Sequence, residues 1–316
     1  MNVEQAQADA RRTVVMLGNF DGVHRGHQTV LRTVTTMARE SGAISVAITF
    51  DPHPLAVLHP ERAPEQITSV AYRLDLMEHC GLDAALTLPF TREFAQLTPE
   101  EFVEQVLVDG LRAQTVVCGL DTKFGVRNSG DINTMRELGD RFGFEVVTHD
   151  IAGVYEEGRR QWSSSAVRSA LREGDVQQAS EVLGRLHRVN GIVVHGHHRG
   201  RELGYPTANL GPDSEGMIPA DAVYAGWLER TDHDMGDDDR RLPAAISVGT
   251  NPTFDDVASR TVEAYVLDRV DLDLYDEHVG VDFVARLRGN TKFASMDDLI
   301  EQMARDVVVC RSVLLG

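Results

Sequence analysis

The stretch VVMLGNFDGVHRGHQTVL, from Val14 to Leu31, is the most informative for the structure of the N-terminal half of this 316-residue chain. Its first residues form an almost continuous apolar run, which is typical of a β-strand buried on both faces of a sheet. The run ends at Gly18, and from Val30 onward the apolar residues fall on one face of a helix. The stretch therefore predicts a buried strand, a glycine-containing turn and a helix in direct succession.

The same alternation of strand-like and helix-like segments continues along the first half of the chain. Apolar strand-like runs recur at 43–50, 115–119 and 144–150, with helix-like segments between them. One of these helices begins at Thr98, where Thr98-Pro99-Glu100-Glu101 has the sequence of a capping box. Strands that alternate with helices predict a parallel sheet with helices on both faces, as in a Rossmann-like α/β domain.

The hydrophobic pattern changes beyond Gly184, where short apolar segments are closely spaced and separated by turn residues. This pattern predicts a mainly β C-terminal domain, either an antiparallel sheet or a small barrel. A terminal helix is predicted from Ser295, with Asp298 as its capping partner. The length favours two domains, and we place them at residues 1–186 and 187–316.

The composition restricts the classes of partner. A formal net charge of -18 opposes binding to nucleic acid, which needs a basic face, but it is compatible with an anionic small molecule bound in a locally positive cleft. The sequence shows no apolar run of about 18 residues and no secretory leader pattern, so we expect no membrane partner and a cytoplasmic location. The acidic stretch 231–241 indicates a solvated loop, and the oligomeric state stays open.

The turn after the first strand has the features of a phosphate site. Gly18, Gly22 and Gly26 allow close backbone approach, and the start of the following helix offers unpaired N–H groups. His24 and His27 are three residues apart, so both lie on one side of the first helical turn. Imidazole N–H groups there could stabilise the charge of a five-coordinate phosphate transition state. The alternative is a pair of surface histidines after a turn.

A second glycine-rich stretch lies at 191–210 in the C-terminal half. Its loop carries three glycines and several basic residues, which permit a backbone wrap around phosphate. The predicted ATP-binding residues of this loop are Gly196, Gly200, Arg201 and Gly204. The oxygens of Thr207 and Asn209 suit Mg²⁺. A basic, flexible barrel loop is the alternative, and a zinc site at the nearby histidines lacks a completing Cys or carboxylate.

Four motifs of the first half together resemble the adenylyltransferase part of the bacterial bifunctional riboflavin kinase/FAD synthetase family. They are GNFDGVHRGH (18–27), TFDPHP (49–54), GLDTKFG (119–125) and SSSAVR (163–168). The resemblance implies transfer of the adenylyl group of ATP to FMN, with release of pyrophosphate. The residues it implies for ATP and phosphate are Gly18, Phe20, Asp21, Gly22, His24, His27, Ser164, Ser165 and Arg168.

Two of these motifs have simpler alternatives. Ser164 and Ser165 stand at a predicted helix start, where serine is also a common cap. The resemblance places Asp51 and His53 of the DPHP motif near the flavin, although each proline also stiffens the residue before it and a rigid turn would suffice.

The second half is similar in order to the riboflavin kinase module of the same family. The matching stretches are RGRELGYPTANL (199–210), IPADAVYAGWL (218–228), AAISVGTNPTF (244–254), TVEAYVLD (261–268) and KFASMDDLIEQMARD (292–306). The resemblance implies that Thr207 and Asn209 bind Mg-ATP and that Glu263 activates the ribityl hydroxyl. A solvent-facing Glu263 is the alternative from strand parity alone. Asn251 and Arg288 are predicted near the flavin.

Three functions follow from these observations. The first is a bifunctional enzyme that converts riboflavin to FMN and FMN to FAD with ATP and Mg²⁺, releasing ADP and pyrophosphate. The others are a flavin- or nucleotide-binding regulator and a kinase whose first half only binds. The presence of His24, His27, Thr207, Asn209 and Glu263 favours the bifunctional enzyme.

Overall fold

A computed structural model of the protein describes residues 12–149, 162–195, 204–251 and 259–316. The chain divides into two compact units. The first comprises Met1–Pro64 and Val70–Ser163, and the second comprises Glu65–Ser69 and Ser164–Gly316. In the described ranges, no helix is long and apolar enough to cross a membrane.

The first unit contains a five-stranded sheet in which every strand pair is parallel. Its strands are β1 (Thr13–Leu17), β2 (Ile44–Asp51), β3 (Ala84–Pro89), β4 (Ala113–Gly119) and β5 (Glu145–His149). The order is β3-β2-β1-β4-β5, so the chain runs outward from β1 in both directions. The predicted parallel sheet is confirmed. In such sheets ligands bind beyond the carboxyl ends of the strands, where the order reverses, which here is between β1 and β4.

Helices cover both faces of this sheet. They are α1 (Arg25–Ser41), α2 (Pro54–Leu58), α3 (Val70–His79), α4 (Pro99–Phe102), which continues as a π-helix over Val103–Gly110, and α5 (Ile132–Phe142). Short 3-10 turns lie at Pro60–Arg62, Phe94–Gln96 and Val126–Asn128. The predicted capping box at Thr98 and Glu101 is present.

The two faces of the sheet form separate cores because successive strand residues point to opposite sides. Val14 and Met16 pack with residues of α1 on one face, among them Val30. Val15 packs with Leu107 and Met135 on the other face. The fully buried pattern of β1 explains why its sequence is continuously apolar.

The second unit is built on a closed barrel of six strands that pair antiparallel. These are β6 (His187–Val194), β7 (Ala208–Leu210), β8 (Ala222–Arg230), β9 (Arg241–Asn251), β10 (Ser259–Val266) and β11 (His278–Gly289). Around the barrel they follow the order β10-β7-β6-β11-β8-β9. The helices are α6 (Ser164–Glu173), α7 (Val176–Leu183) and α8 (Met296–Leu315). The predicted barrel and terminal helix are confirmed, and Ser295 caps α8 in a capping box with Asp298.

A five-residue segment from the first half of the sequence, Glu65–Ser69, also belongs to the barrel unit. Ile67 is completely buried there. Arg168 on α6 donates a hydrogen bond from Nε to the carbonyl oxygen of Glu65 at 2.8 Å. The barrel unit is therefore not one continuous piece of the chain.

The acidic stretch between β8 and β9 is a surface connection whose charges are compensated locally. Asp237 accepts a hydrogen bond from the ring of His233 at 2.7 Å, which lowers the pKa of that carboxyl. Asp239 accepts one from Arg269 at 2.6 Å. The predicted surface loop is confirmed, and these partners balance the charge of two of its five aspartates.

Two glycines of the barrel unit provide a matched test of its packing. A Cβ atom on Gly226 in β8 would lie 2.1 Å from the carbonyl oxygen of Asp282 and 2.3 Å from the side chain of Ile246, whereas one on Gly236 would meet nothing within 4 Å. We expect Gly226→Ala to lower the free energy of unfolding by about 1–3 kcal/mol or more. Gly236→Ala should leave it within about 0.5 kcal/mol. Urea unfolding of both full-length variants checks this, and equal midpoints would contradict it.

Candidate active sites

The turn that follows β1 has an unusual backbone held by buried side chains. Phe20, Gly22 and Val23 have φ angles of 52°, 81° and 38°. A positive φ is uncommon outside glycine, and for a β-branched residue such as Val23 it is an outlier that persists only when the surroundings fix it. The side chains of Phe20 and Val23 are each 1% exposed. Both residues therefore anchor the turn in the core beneath it.

His24 is the N-cap of α1. Its backbone is extended, with φ -67° and ψ 170°, and its Nδ1 accepts a hydrogen bond from the backbone N–H of His27 at 3.4 Å. The two imidazole rings stack, with centroids 3.7 Å apart and an interplanar angle of 21°. A Cβ atom on Gly26 would lie 3.1 Å from the His24 ring, so glycine leaves room for it. The structure thus brings the two predicted histidines together at the helix N-terminus.

His27 is held in its neutral form. Burial lowers its pKa well below the ordinary value, and the nearby charges of His24 and Arg73 lower it further. Its Nδ1 is buried and makes no hydrogen bond within the part of the chain that the structure describes. A neutral imidazole offers one N–H donor and one acceptor, so His27 can donate one hydrogen bond to a phosphate.

Arg73 on α3 lies under this turn and was not identified from the sequence. Its side chain is buried, and Nη1 donates to the carbonyl oxygen of Asn19 at 3.1 Å and to Oγ1 of Thr49 at 3.3 Å. Its Nη2 lies 3.7 Å from Oδ1 of Asp21, which is also buried. One signal was available in the sequence: Arg73 is four residues before Met77, so the two share one helix face, and a charge on an apolar face is unusual.

The predicted flavin residues of the DPHP motif lie at the carboxyl end of β2. Asp51 is the last residue of that strand and is exposed. His53 caps α2, where its Nδ1 accepts from the backbone N–H of Leu55 at 3.1 Å. Its Nε2 lies 3.2 Å from Nδ2 of Asn19. His53 is therefore linked to the turn after β1, and Asp51 is open to solvent.

The predicted residues of the SSSAVR motif belong to the barrel unit. Ser164 and Ser165 occupy the first turn of α6, as the sequence predicts, with Ser165 exposed. Arg168 lies one turn later and is engaged with Glu65. The role of these three residues as phosphate ligands stays a prediction.

Three predicted kinase residues meet on the outer face of the barrel. Glu263 on β10 lies directly opposite Asn209 on β7. The amide of Asn209 donates to Oγ1 of Thr207 at 3.2 Å and to its carbonyl oxygen at 3.1 Å. Glu263 is half-buried, whereas its neighbours Val262 and Ala264 point into the core. A hydroxyl, an amide and a carboxylate thus lie side by side.

The structure describes only some of the remaining predicted kinase residues. Gly196, Gly200 and Arg201 fall outside the described residues. Gly204 has a φ of 83°. For Asn251 the structure places the backbone, at the end of β9, opposite Ser259.

Arg288 has a strong partner of its own. It forms a bidentate ion pair with Asp306 on α8, with its closest contact from Nη2 at 2.7 Å. Asp306 is also bonded by Gln302, at 2.9 Å. In this arrangement Arg288 fastens the terminal helix to β11, and its predicted place near the flavin is untested.

The structure offers no conventional cluster of metal-binding side chains in the ranges it describes. No group of three His, Cys, Asp or Glu residues there could hold a metal ion. Cys118 and Cys310 are buried, and burial raises the pKa of each thiol to about 11. Both cysteines therefore act as small core residues.

The comparisons with known sequences cover nearly the whole chain. The sequence model of the FAD synthetase family matches residues 6–166, and that of the riboflavin kinase family matches residues 183–314. The bifunctional riboflavin kinase/FMN adenylyltransferase of Escherichia coli (strain K12) is 34% identical over 306 residues, which cover 97% of this chain and 94% of the relative. The protein of the same description from Bacillus subtilis (strain 168) is 32% identical over 299 residues, with 93% and 90% covered.

A solved structure supports the same architecture. The crystal structure of a macrolide-efflux protein from Streptococcus pneumoniae superimposes with a TM-score of 0.83, with 33% sequence identity and 96% of both chains covered. Efflux is what the name says of that protein, and for this chain the likeness concerns the fold. Two families matched in order, with relatives about one-third identical along almost the full length, lead to one conclusion: the chain belongs to the bifunctional riboflavin kinase/FMN adenylyltransferases, which convert riboflavin to FMN and FMN to FAD in ATP-dependent reactions.

Proposed function

We propose that the two reactions use the two sites described above. Adenylyl transfer is assigned to residues 1–186, with the turn after β1 as its phosphate site, and the kinase reaction to residues 187–316. The observation that carries the proposal is the stacked pair of His24 and His27 at the N-terminus of α1, beyond the carboxyl end of β1. A cytoplasmic location stays a prediction.

In the adenylyl transfer, a phosphate oxygen of FMN attacks the α-phosphorus of ATP. The new P–O bond yields FAD as the bond to the β-phosphate breaks and pyrophosphate leaves. The reaction needs placement and charge stabilisation more than a covalent nucleophile. The first N–H groups of α1 and the two imidazoles are the proposed donors.

In the kinase reaction, Glu263 is the proposed general base. It accepts the proton of the ribityl 5′-hydroxyl as that oxygen attacks the γ-phosphorus of ATP, and ADP leaves. Its half-buried position opposite Asn209 supports this role, because a general base must be accessible to its substrate and oriented.

We propose Thr207 and Asn209 as the ligands of Mg²⁺ that accompanies ATP. The hydroxyl and amide oxygens, with a carboxylate alongside, are hard donors that fit this ion. When bound, Mg²⁺ neutralises phosphate charge. The contact of 3.2 Å between the two side chains keeps the hydroxyl and the amide together on one barrel face. Asp51, His53, Asn251 and Arg288 stay predictions for flavin binding.

Glu263→Gln separates the two activities. We expect it to reduce FMN formation from riboflavin by about 10²–10⁴-fold, because glutamine cannot accept the proton. FAD formation from supplied FMN should persist. Chromatography of flavin products with ATP and Mg²⁺ measures both, and Glu301→Gln on the exposed face of α8 is the control. Unchanged FMN formation would refute the assignment of Glu263.

The combined change His24→Asn with His27→Gln tests the first site. Asparagine is a good N-cap, so α1 keeps its start while both imidazoles are lost. We expect FAD formation to fall by at least about 10²-fold, with FMN formation from riboflavin unaffected. His59→Gln, on an exposed side chain of the same unit, is the control. An equal loss of both activities would contradict independent sites.

The neutral state of His27 gives a pH prediction. Because its pKa is lowered, His27 should stay unprotonated at pH 6.5, where an unperturbed histidine is about half protonated. NMR titration of the ring Cε1–Hε1 signal, assigned through the His27→Gln variant, measures this. A midpoint near 6.5 would show that the ring is not held neutral.

A further inference from the structure

We propose that Arg73 is a positioning residue for adenylyl transfer, which holds the turn 19–23 in the conformation that presents the α1 N-terminus to the reacting phosphates. The inference rests on the proposed role of that turn. Arg73 is 3% exposed and contacts Asn19 and Asp21 of the turn, so we infer that it acts through the turn.

The guanidinium group of Arg73 on α3 contacts two other segments of the chain, the turn 19–23 and β2. It donates to the Asn19 carbonyl at the start of the turn and lies 3.7 Å from the Asp21 carboxylate in its middle. It also donates to Thr49 on β2, whose hydroxyl donates to the same Asn19 carbonyl at 3.0 Å. A planar group with five N–H donors in a fixed fork can meet several such partners at once. The turn is thereby tied to β2 and α3.

The turn needs such a restraint because its backbone is strained. Phe20 and Val23 have positive φ angles, which are unfavourable for residues that carry a Cβ atom and persist only when the surroundings fix them. Buried apolar side chains anchor these two residues from one side. The Asn19 carbonyl and the Asp21 carboxylate are polar, and each must be satisfied by a donor when buried. Arg73 donates a hydrogen bond to the carbonyl and places its positive charge 3.7 Å from the carboxylate.

Core stability alone does not explain an arginine at this position. Its neighbour on the same helix face, Met77, is completely buried in the apolar core beside α1. A buried ion pair commonly contributes no more stability than apolar residues of similar size, because both charges lose their hydration. The benefit of Arg73 therefore lies in the geometry that it imposes on the turn.

The test compares Arg73→Met and Arg73→Lys in the full-length protein. Methionine has similar length without charge, and lysine keeps the charge without the fork. We expect the kcat of adenylylation to fall at least 10-fold in Arg73→Met, with KM for ATP and FMN within about 3-fold. Arg73→Lys should recover part of the loss. Arg32→Met, on the exposed side of α1, is the control.

Hydrogen exchange of the same variants separates positioning from general stability. We expect faster exchange confined to residues 19–28, with β1 and β4 still protected. The inference is overturned if Arg73→Met keeps its kcat, or if both variants lose protection throughout the sheet. If the variant at His24 and His27 retains adenylylation, the proposed function of the turn fails. If that variant is inactive and Arg73→Met is fully active, only the role of Arg73 fails.

Discussion

The proposed adenylylation site depends on the use of an imidazole as a helix cap. Ser, Thr, Asp and Asn are the usual N-caps because their short side chains reach the first free N–H groups. Here the Nδ1 of His24 takes that place at 3.4 Å, a long contact. The helix therefore has a weaker N-cap than one of these residues would provide. In return, the imidazole ring of His24 is held in a fixed position at the positive end of α1. The strained turn, the glycine at position 26 and the buried Arg73 all serve this arrangement.

The proposed kinase site depends instead on the register of two strands. β7 has three residues, yet it closes the barrel by pairing with both β10 and β6. Directly opposed residues in an antiparallel pair have Cβ atoms about 4.5–5.5 Å apart. Since Glu263 faces Asn209, a slip by one residue would turn one of them to the other face of the barrel. The strand register of the barrel thus determines which side-chain oxygen atoms lie next to each other in this proposed site.

Local sequence patterns explain why β1 and the histidine pair at the start of α1 could be predicted. The continuous apolar run of β1 and the three-residue spacing of His24 and His27 each involve neighbours in the sequence. Asn209 and Glu263 are 54 positions apart in the sequence, so no local pattern predicts that they face each other in neighbouring strands. Arg73 lies equally far from Asn19, the carbonyl that it binds. Arg288 illustrates the same limit, because its partner Asp306 arrives only when α8 packs on the barrel.

The position of the segment Glu65–Ser69 in the barrel unit affects the order in which the chain can fold. It is synthesised well before the barrel to which it belongs, so its contacts close over more than a hundred intervening residues. Contacts of such sequence separation slow folding, because loop closure must precede their benefit. The described hydrogen bonds of Glu65 are to Arg168 and Arg172 on α6. The segment can therefore reach its place in the barrel unit only after α6 has been synthesised.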